Sequence, residues 1–155
     1  MDLTDLTATD AVFPQLRVGS KKALLQELAS RMAAQVQADH RELFAALLER
    51  ERLGSTGMGR GVAIPHCRLP GLTKIAGGLA QLESPVDFEA VDGEPVDLVY
   101  VLIAPDCCGS DHLRALARVS RVLRDQTMCQ KLRGARDAAA IHTLLADHEE
   151  ASRAA

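Results

Sequence analysis

The feature that most restricts the fold is the unbroken apolar run Leu98-Val99-Tyr100-Val101-Leu102-Ile103-Ala104. Seven residues cannot cross a bilayer, which takes about 20. The run does not alternate either, as a strand with one wet face would. It reads as the heart of a strand, Val96 to Ala104, covered on both faces. Such a strand needs a layer of structure on each side, and the flanking sequence offers helices for both.

Upstream, Lys21 to Gln37 sets Leu24, Leu25, Leu28, Met32 and Val36 on one helical stripe behind Ser20, a suitable N-cap. A second helix comes after Asp39, with Glu42 placed to complete a capping box before Leu43, Phe44, Leu47 and Leu48. It should stop near Arg52, because Gly54, Gly57, Gly59 and Gly61 punctuate the next stretch of chain. Val62-Ala63-Ile64 is a short strand that Pro65 closes, since proline has no N–H to give a ladder. Ile75 to Leu82 reads as a strand weakened by Gly77-Gly78, Val86 to Glu89 as a short edge, and Asp92-Gly93 as a hairpin-type turn. After the loop Pro105 to Gly109, Ser110 is placed to cap a helix from Asp111 to about Arg124. A last helix covers Asp137 to about His148, leaving Glu149 to Ala155 as a frayed tail. With no repeats and no linker, residues 1–155 read as one domain with a core at about 10–148. The expected class is α/β, a single-domain sandwich of a mixed β-sheet flanked by α-helices.

Composition removes several function classes. The 18 Lys+Arg against 21 Asp+Glu leave a net charge of -3, against nucleic acid as the main partner. There is no Trp, and one Tyr and three Phe provide no stacking platform for single strands. The acidic start Met1-Asp2-Leu3-Thr4-Asp5 is not a signal peptide, so a cytoplasmic protein without membrane insertion is expected. Four cysteines without a C-x-x-C pattern read as reduced thiols and not as a secreted framework.

The chemistry concentrates between Arg50 and His66, where glycines alternate with Ser55 and Thr56. Glycines there let the backbone approach an anion. The stretch contains no Gly-Lys-Ser/Thr and no G-x-G-x-x-G, so a nucleotide cofactor is not expected. His66, held by Pro65 just past a strand end, is either a structural histidine bonded to a nearby carbonyl or a phosphoryl acceptor, since a neutral imidazole can attack phosphorus directly. His112 falls in the first turn of the helix behind Ser110, where the helix end favours an anion. Both histidines come after strand ends, which makes one shared site the natural expectation. Arg114, Arg118 and Arg121 form a stripe along that same helix, either a solvated face or a docking surface for an acidic partner.

Arg50 to His66, with His112 in Asp-His-Leu, resembles the enzyme IIA domain of the fructose/mannitol type (type 2) from the bacterial phosphoenolpyruvate-dependent phosphotransferase system. The family pattern R-E-x-x-x-S-T-x-x-G-N-G-I-A-I-P-H-G fits nearly every position. Leu82 to Phe88, Glu94 to Val99 and Leu132-Arg133 carry the likeness over about residues 10 to 148. The resemblance implies that His66 accepts the phosphoryl group, that His112 helps place it, and that Arg50 neutralises phosphate charge. Ser55 and Thr56 are implied to supply hydroxyls around the site. Two positions depart from the pattern: Arg60 stands for the usual Asn and Cys67 for the usual Gly.

The likeness implies a phosphohistidine carrier protein as donor. It favours the stand-alone nitrogen-regulatory branch, in which phosphorylation controls binding to regulatory target proteins. The alternative is a sugar-specific IIA that passes phosphate to a IIB domain. From another class, a non-catalytic or metal-binding interaction module would use His66, Cys67, Cys107, Cys108 and His112 as a zinc-like set, although their spacing matches no common zinc motif. No metal is expected.

Overall fold

The computed structural model describes residues 2–107 and 109–154. The chain order is α1 (Leu3–Leu6), β1 (Thr7–Leu16), α2 (Lys21–Val36), α3 (His40–Arg52), β2 (Gly57–Gly59), β3 (Val62–Ala63), β4 (His66–Leu69), β5 (Ala76–Val86), β6 (Val96–Pro105), α4 (Gly109–Arg124), α5 (Gln126–Gly134) and α6 (Ala138–Ala154). The strands form one mixed sheet in the order β1-β5-β6-β3-β2, with β4 also paired to β6. β5 and β6 are antiparallel, whereas β3 and β4 run parallel to β6 and β1 runs parallel to β5. Among the described residues no helix is long and apolar enough to cross a membrane.

The apolar run is the centre of this sheet. Val99, Val101 and Ile103 point into a core shared with Leu24, Leu28 and Met32 of α2 and Leu43 and Leu47 of α3. Leu98, Tyr100 and Leu102 point the other way, into a core with Val119 of α4, Leu132 of α5 and Ile141 of α6. The alternation of one strand thus feeds both layers. Gly77 and Gly78 do not weaken β5 by accident: a Cβ at Gly77 would collide with the Tyr100 ring, and one at Gly78 with the Met32 sulfur. The Tyr100 hydroxyl, wedged there, bonds the Thr7 hydroxyl at 2.5 Å.

Several expectations change. β1 carries no clear strand pattern because Pro14 interrupts it, and the structure places it at the sheet edge, where a missing N–H is tolerated. β5 runs on through Pro85 to Val86, and Asp87 to Ala90 is not strand. Pro65 does not end strand pairing: its carbonyl accepts from Leu102 N–H at 3.0 Å, and pairing with β6 resumes at His66. α4 begins at Gly109, so Ser110 lies inside its first turn and is not the N-cap. α5 is a further helix that the apolar pattern does not announce, although Asp125 caps it by accepting from Thr127 and Met128 N–H.

The tail beyond His148 is helical and anchored. Glu149, 4% exposed, accepts from Leu3 N–H at 2.7 Å and from Arg118 at 2.9 Å. Arg118 and Arg153 both reach Asp2, so α6, α4 and the N-terminus are tied by one charged cluster. Breaking a buried, charge-assisted contact of this kind costs about 2 kcal/mol. Glu149→Ala is therefore expected to lower the urea midpoint by about that energy. A loss within a few tenths of a kcal/mol would show that the tail is frayed after all.

Candidate functional site

The sheet and two helices bring the two histidines and the motif arginine together. His66 opens β4, paired with Leu102 of β6, while β6 leads directly through residues 106–108 into α4 and His112. The two imidazole centroids lie 5.5 Å apart, with the rings tilted at 47°. They line a cavity of about 510 Å³ whose walls are Arg50 of α3, Leu53 just past its end, Arg68 of β4 and Leu113 of α4. Leu53 and Leu113 are 81% and 62% exposed, so the pocket has an apolar rim.

One hydrogen bond fixes the tautomer of His66. His66 Nδ1 lies 2.8 Å from the Ile64 carbonyl oxygen, which can only accept. Nδ1 therefore carries the hydrogen, and in the neutral ring the lone pair sits on Nε2, at the opposite edge. Burial depresses the His66 pKa, and Arg50 and Arg68 depress it further, against the opposing pull of the Ile64 bond and Glu51. Burial also lowers His112, with His66 and Arg68 adding to the effect, to about 4. Both rings are thus neutral near pH 7. His112 itself is buried in the first turn of α4, close to the positive end of the helix dipole.

Arg50 stands at the end of α3, where one guanidinium nitrogen donates to the Gly54 carbonyl at 3.0 Å. That bond satisfies a carbonyl just past the helix and fixes the base of the arginine beside the pocket. Ser55 and Thr56 are placed differently from the expectation. The Ser55 hydroxyl donates to the Phe88 carbonyl and accepts from Gly57 N–H, and the Thr56 hydroxyl donates to the Glu51 carboxylate. Both hold the glycine-rich loop in place, and neither lines the histidine pocket.

Two residues of the site are not evident from the motif alone. Arg68, two places after His66, shares its strand face, so its charge bears on both imidazoles. Reading Pro65 as the end of a strand hides that relation. Glu51 is a buried carboxylate that binds Thr56 through its N–H and hydroxyl and pairs with Lys21 at 3.0 Å, tying the loop to α2. A Glu beside the motif arginine is the only signal of it in the sequence.

The cysteines and the arginine stripe are also redistributed. Cys67 extends β4 in regular register with Ile103, and its side chain packs into the core with Leu69. The glycine of the family pattern is not needed there. Burial pushes the Cys67 thiol up to about 12, away from thiolate chemistry and from metal binding. Cys107 is exposed, Cys129 is buried against the Leu123 carbonyl, and Cys108 lies outside the described residues. Among the described residues no three His, Cys, Asp or Glu side chains gather as a metal site. Arg118 is tied to Asp2 and Glu149, which breaks the stripe at its centre.

Residues 5–148 match the family described as the phosphoenolpyruvate-dependent sugar phosphotransferase system, EIIA 2. A nitrogen regulatory protein of Bradyrhizobium diazoefficiens is 54% identical over 146 residues, covering 94% of this chain and 95% of that protein. One from Pseudomonas aeruginosa is 40% identical over 130 residues, covering 83% and 84%. The crystal structure of nitrogen regulatory protein IIA-Ntr from Neisseria meningitidis superposes with a TM-score of 0.88 at 31% identity, covering 92% of this chain and 98% of that one.

The depressed histidines set the sign of acid sensitivity. Between the ordinary histidine value of 6.5 and about 4, the unfolded chain holds a proton at position 112 that the folded chain refuses. Folding stability therefore falls as pH falls through that window and is undiminished above it. His112→Gln should flatten the slope of denaturation midpoint against pH between those limits. An unchanged slope would mean that His112 ionises freely in the fold.

Proposed function

The chain belongs to the EIIA 2 family of the phosphoenolpyruvate-dependent sugar phosphotransferase system, and on that footing we propose that it is a nitrogen-regulatory phosphocarrier. His66 takes a phosphoryl group from a phosphohistidine carrier protein, and the phosphorylation state governs binding to regulatory target proteins. The regulatory role is favoured by the names of the relatives, which match over most of the chain.

The observation that carries the chemistry is the His66 Nδ1–H bond to the Ile64 carbonyl. With that hydrogen held, the Nε2 lone pair attacks phosphorus in line as the P–N bond to the donor imidazole breaks, and the bonding pair leaves with the donor ring. The His66 ring gains positive charge as the N–P bond forms. The Ile64 carbonyl already points at the N–H on which part of that charge falls, so this bond strengthens in the transition state. Nδ1 keeps its proton throughout. Arg50 and Arg68 offset the negative oxygens, and His112 borders the space where they sit. Leu53 and Leu113 supply the apolar rim on which a donor surface excludes water.

Intact mass after incubation with phosphoenolpyruvate, enzyme I and the carrier protein tests the relay. One acid-labile phosphoryl group is expected on the wild type and none on His66→Ala. No gain on a folded wild type, with donors active on another IIA, would overturn the proposal. Arg50→Ala and Arg68→Ala should each slow acceptance by about tenfold or more, the loss of one charge-assisted contact.

The pH profile gives a separate check. Because the His66 pKa lies below 6.5, the acceptor stays neutral as pH falls through that value. Once the donor's own profile is divided out, acceptance should decline only at lower pH. A decline centred on 6.5 would contradict the buried, neutral acceptor. Onward transfer to a IIB domain and fructose would move the chain to the sugar-specific role.

A further inference from the structure

A second cleft, of about 990 Å³, lies at the far end of α4 from His112 and shares no lining residue with the histidine pocket. Arg124 stands twelve residues beyond His112 on that helix, roughly 18 Å along the axis. Arg60, Arg124 and Arg133 line the cleft, with Asp92 as its one acidic wall residue. That is a local excess of positive charge on a chain whose net charge is -3.

Arg60 is the telling member. Its φ is +58°, a left-handed conformation that glycine or asparagine adopts more cheaply than arginine. The asparagine of the family pattern suits this backbone, so here a long cation occupies a position where it costs stability. The backbone is clamped from both sides: Arg60 N–H donates to Asp92 at 2.9 Å, and Arg133 donates to the Arg60 carbonyl at 2.9 Å. With its amide oxygen assigned to the guanidinium side, Gln126 accepts from Arg60 beside the cleft. A strained residue whose side chain is positioned in this way points to function.

The three arginines have different work. Arg133 shares its Nε–H between the two Asp97 carboxylate oxygens, at 2.9 and 3.1 Å, and serves as a wall. Neither Arg60 nor Arg124 makes a side-chain ion pair among the described residues, and both line the cleft. Two available guanidiniums match a doubly charged phosphate, and Met58, Val62 and Leu123 line the rest of the cleft with apolar surface. We infer that this cleft is a binding site for a small phosphate ester with an apolar body, separate from the phosphoryl-accepting histidine, with Arg60 and Arg124 as its anion-binding residues.

Phenyl phosphate, which joins a phosphate to an apolar ring, is the probe, and amide chemical-shift mapping on the whole chain is the measurement. Saturable shifts are expected at residues 58–62 and 120–130, weakened by added salt. Arg60→Asn and Arg124→Gln should each weaken binding at least tenfold, and Arg60→Asn suits the left-handed backbone, so loss of folding will not confuse the result. Inorganic phosphate should bind more weakly than the ester, and equal binding would remove the apolar part of the site. No shifts up to about 10 mM, the range of very weak binding, would overturn the proposal. So would shifts confined to His66 and His112, or binding that both variants leave intact. His66→Ala should bind phenyl phosphate as the wild type does, which keeps this test independent of the relay.

Discussion

The burial of β6 on both faces governs where everything else can go. A strand with Val99 and Val101 on one side and Leu98 and Tyr100 on the other, all within 1% of full burial, must have a helical layer on each side. β6 is also the common partner of β3, β4 and β5. Its ladder positions His66 opposite Leu102, and its end leads into α4, which carries His112. The distance between the two imidazoles is therefore set by backbone pairing and by a short connection.

Around that frame the lowering effects prevail over the opposing pull of Ile64 and Glu51. Burial and two arginines keep His66 neutral, and burial with the same strand arginine keeps His112 neutral. Under the proposed function, positive charge near the site would serve twice, by keeping His66 neutral and by favouring the arriving phosphoryl oxygens. The buried Glu51 carboxylate works one layer behind. It gathers Thr56 and Lys21 so that the glycine-rich loop, which has little side-chain packing of its own, reaches His66 in one conformation.

Much of the fold was legible. Helices α2 and α3 announced themselves through apolar periodicity behind Ser20 and Asp39, and β6 through its unbroken run. β1 and α5 were not legible, for physical reasons. Pro14 disguises an edge strand whose pairing is parallel and distant in sequence, and α5 is short, with only Met128, Cys129 and Leu132 buried. The tail of α6 looked frayed because its anchor is a contact between Glu149 and Leu3, 146 residues apart. At the site, the motif pointed to His66, His112 and Arg50. Arg68 was hidden by the assumption that a proline ends strand pairing.

The sequence by itself determined the layered α/β class and the family motif around His66, because these depend on local pattern and on residue chemistry. Tertiary structure alone decided which ring nitrogen is free, since only the folded geometry places the Ile64 carbonyl 2.8 Å from His66 Nδ1. It also decided the roles of Ser55 and Thr56, whose hydroxyls had two possible directions and take the one with buried partners. The conformation of Arg60 belongs to the same class. A left-handed arginine is not written in its residue type, and it persists because Asp92 and Arg133, distant in the chain, hold both of its backbone groups.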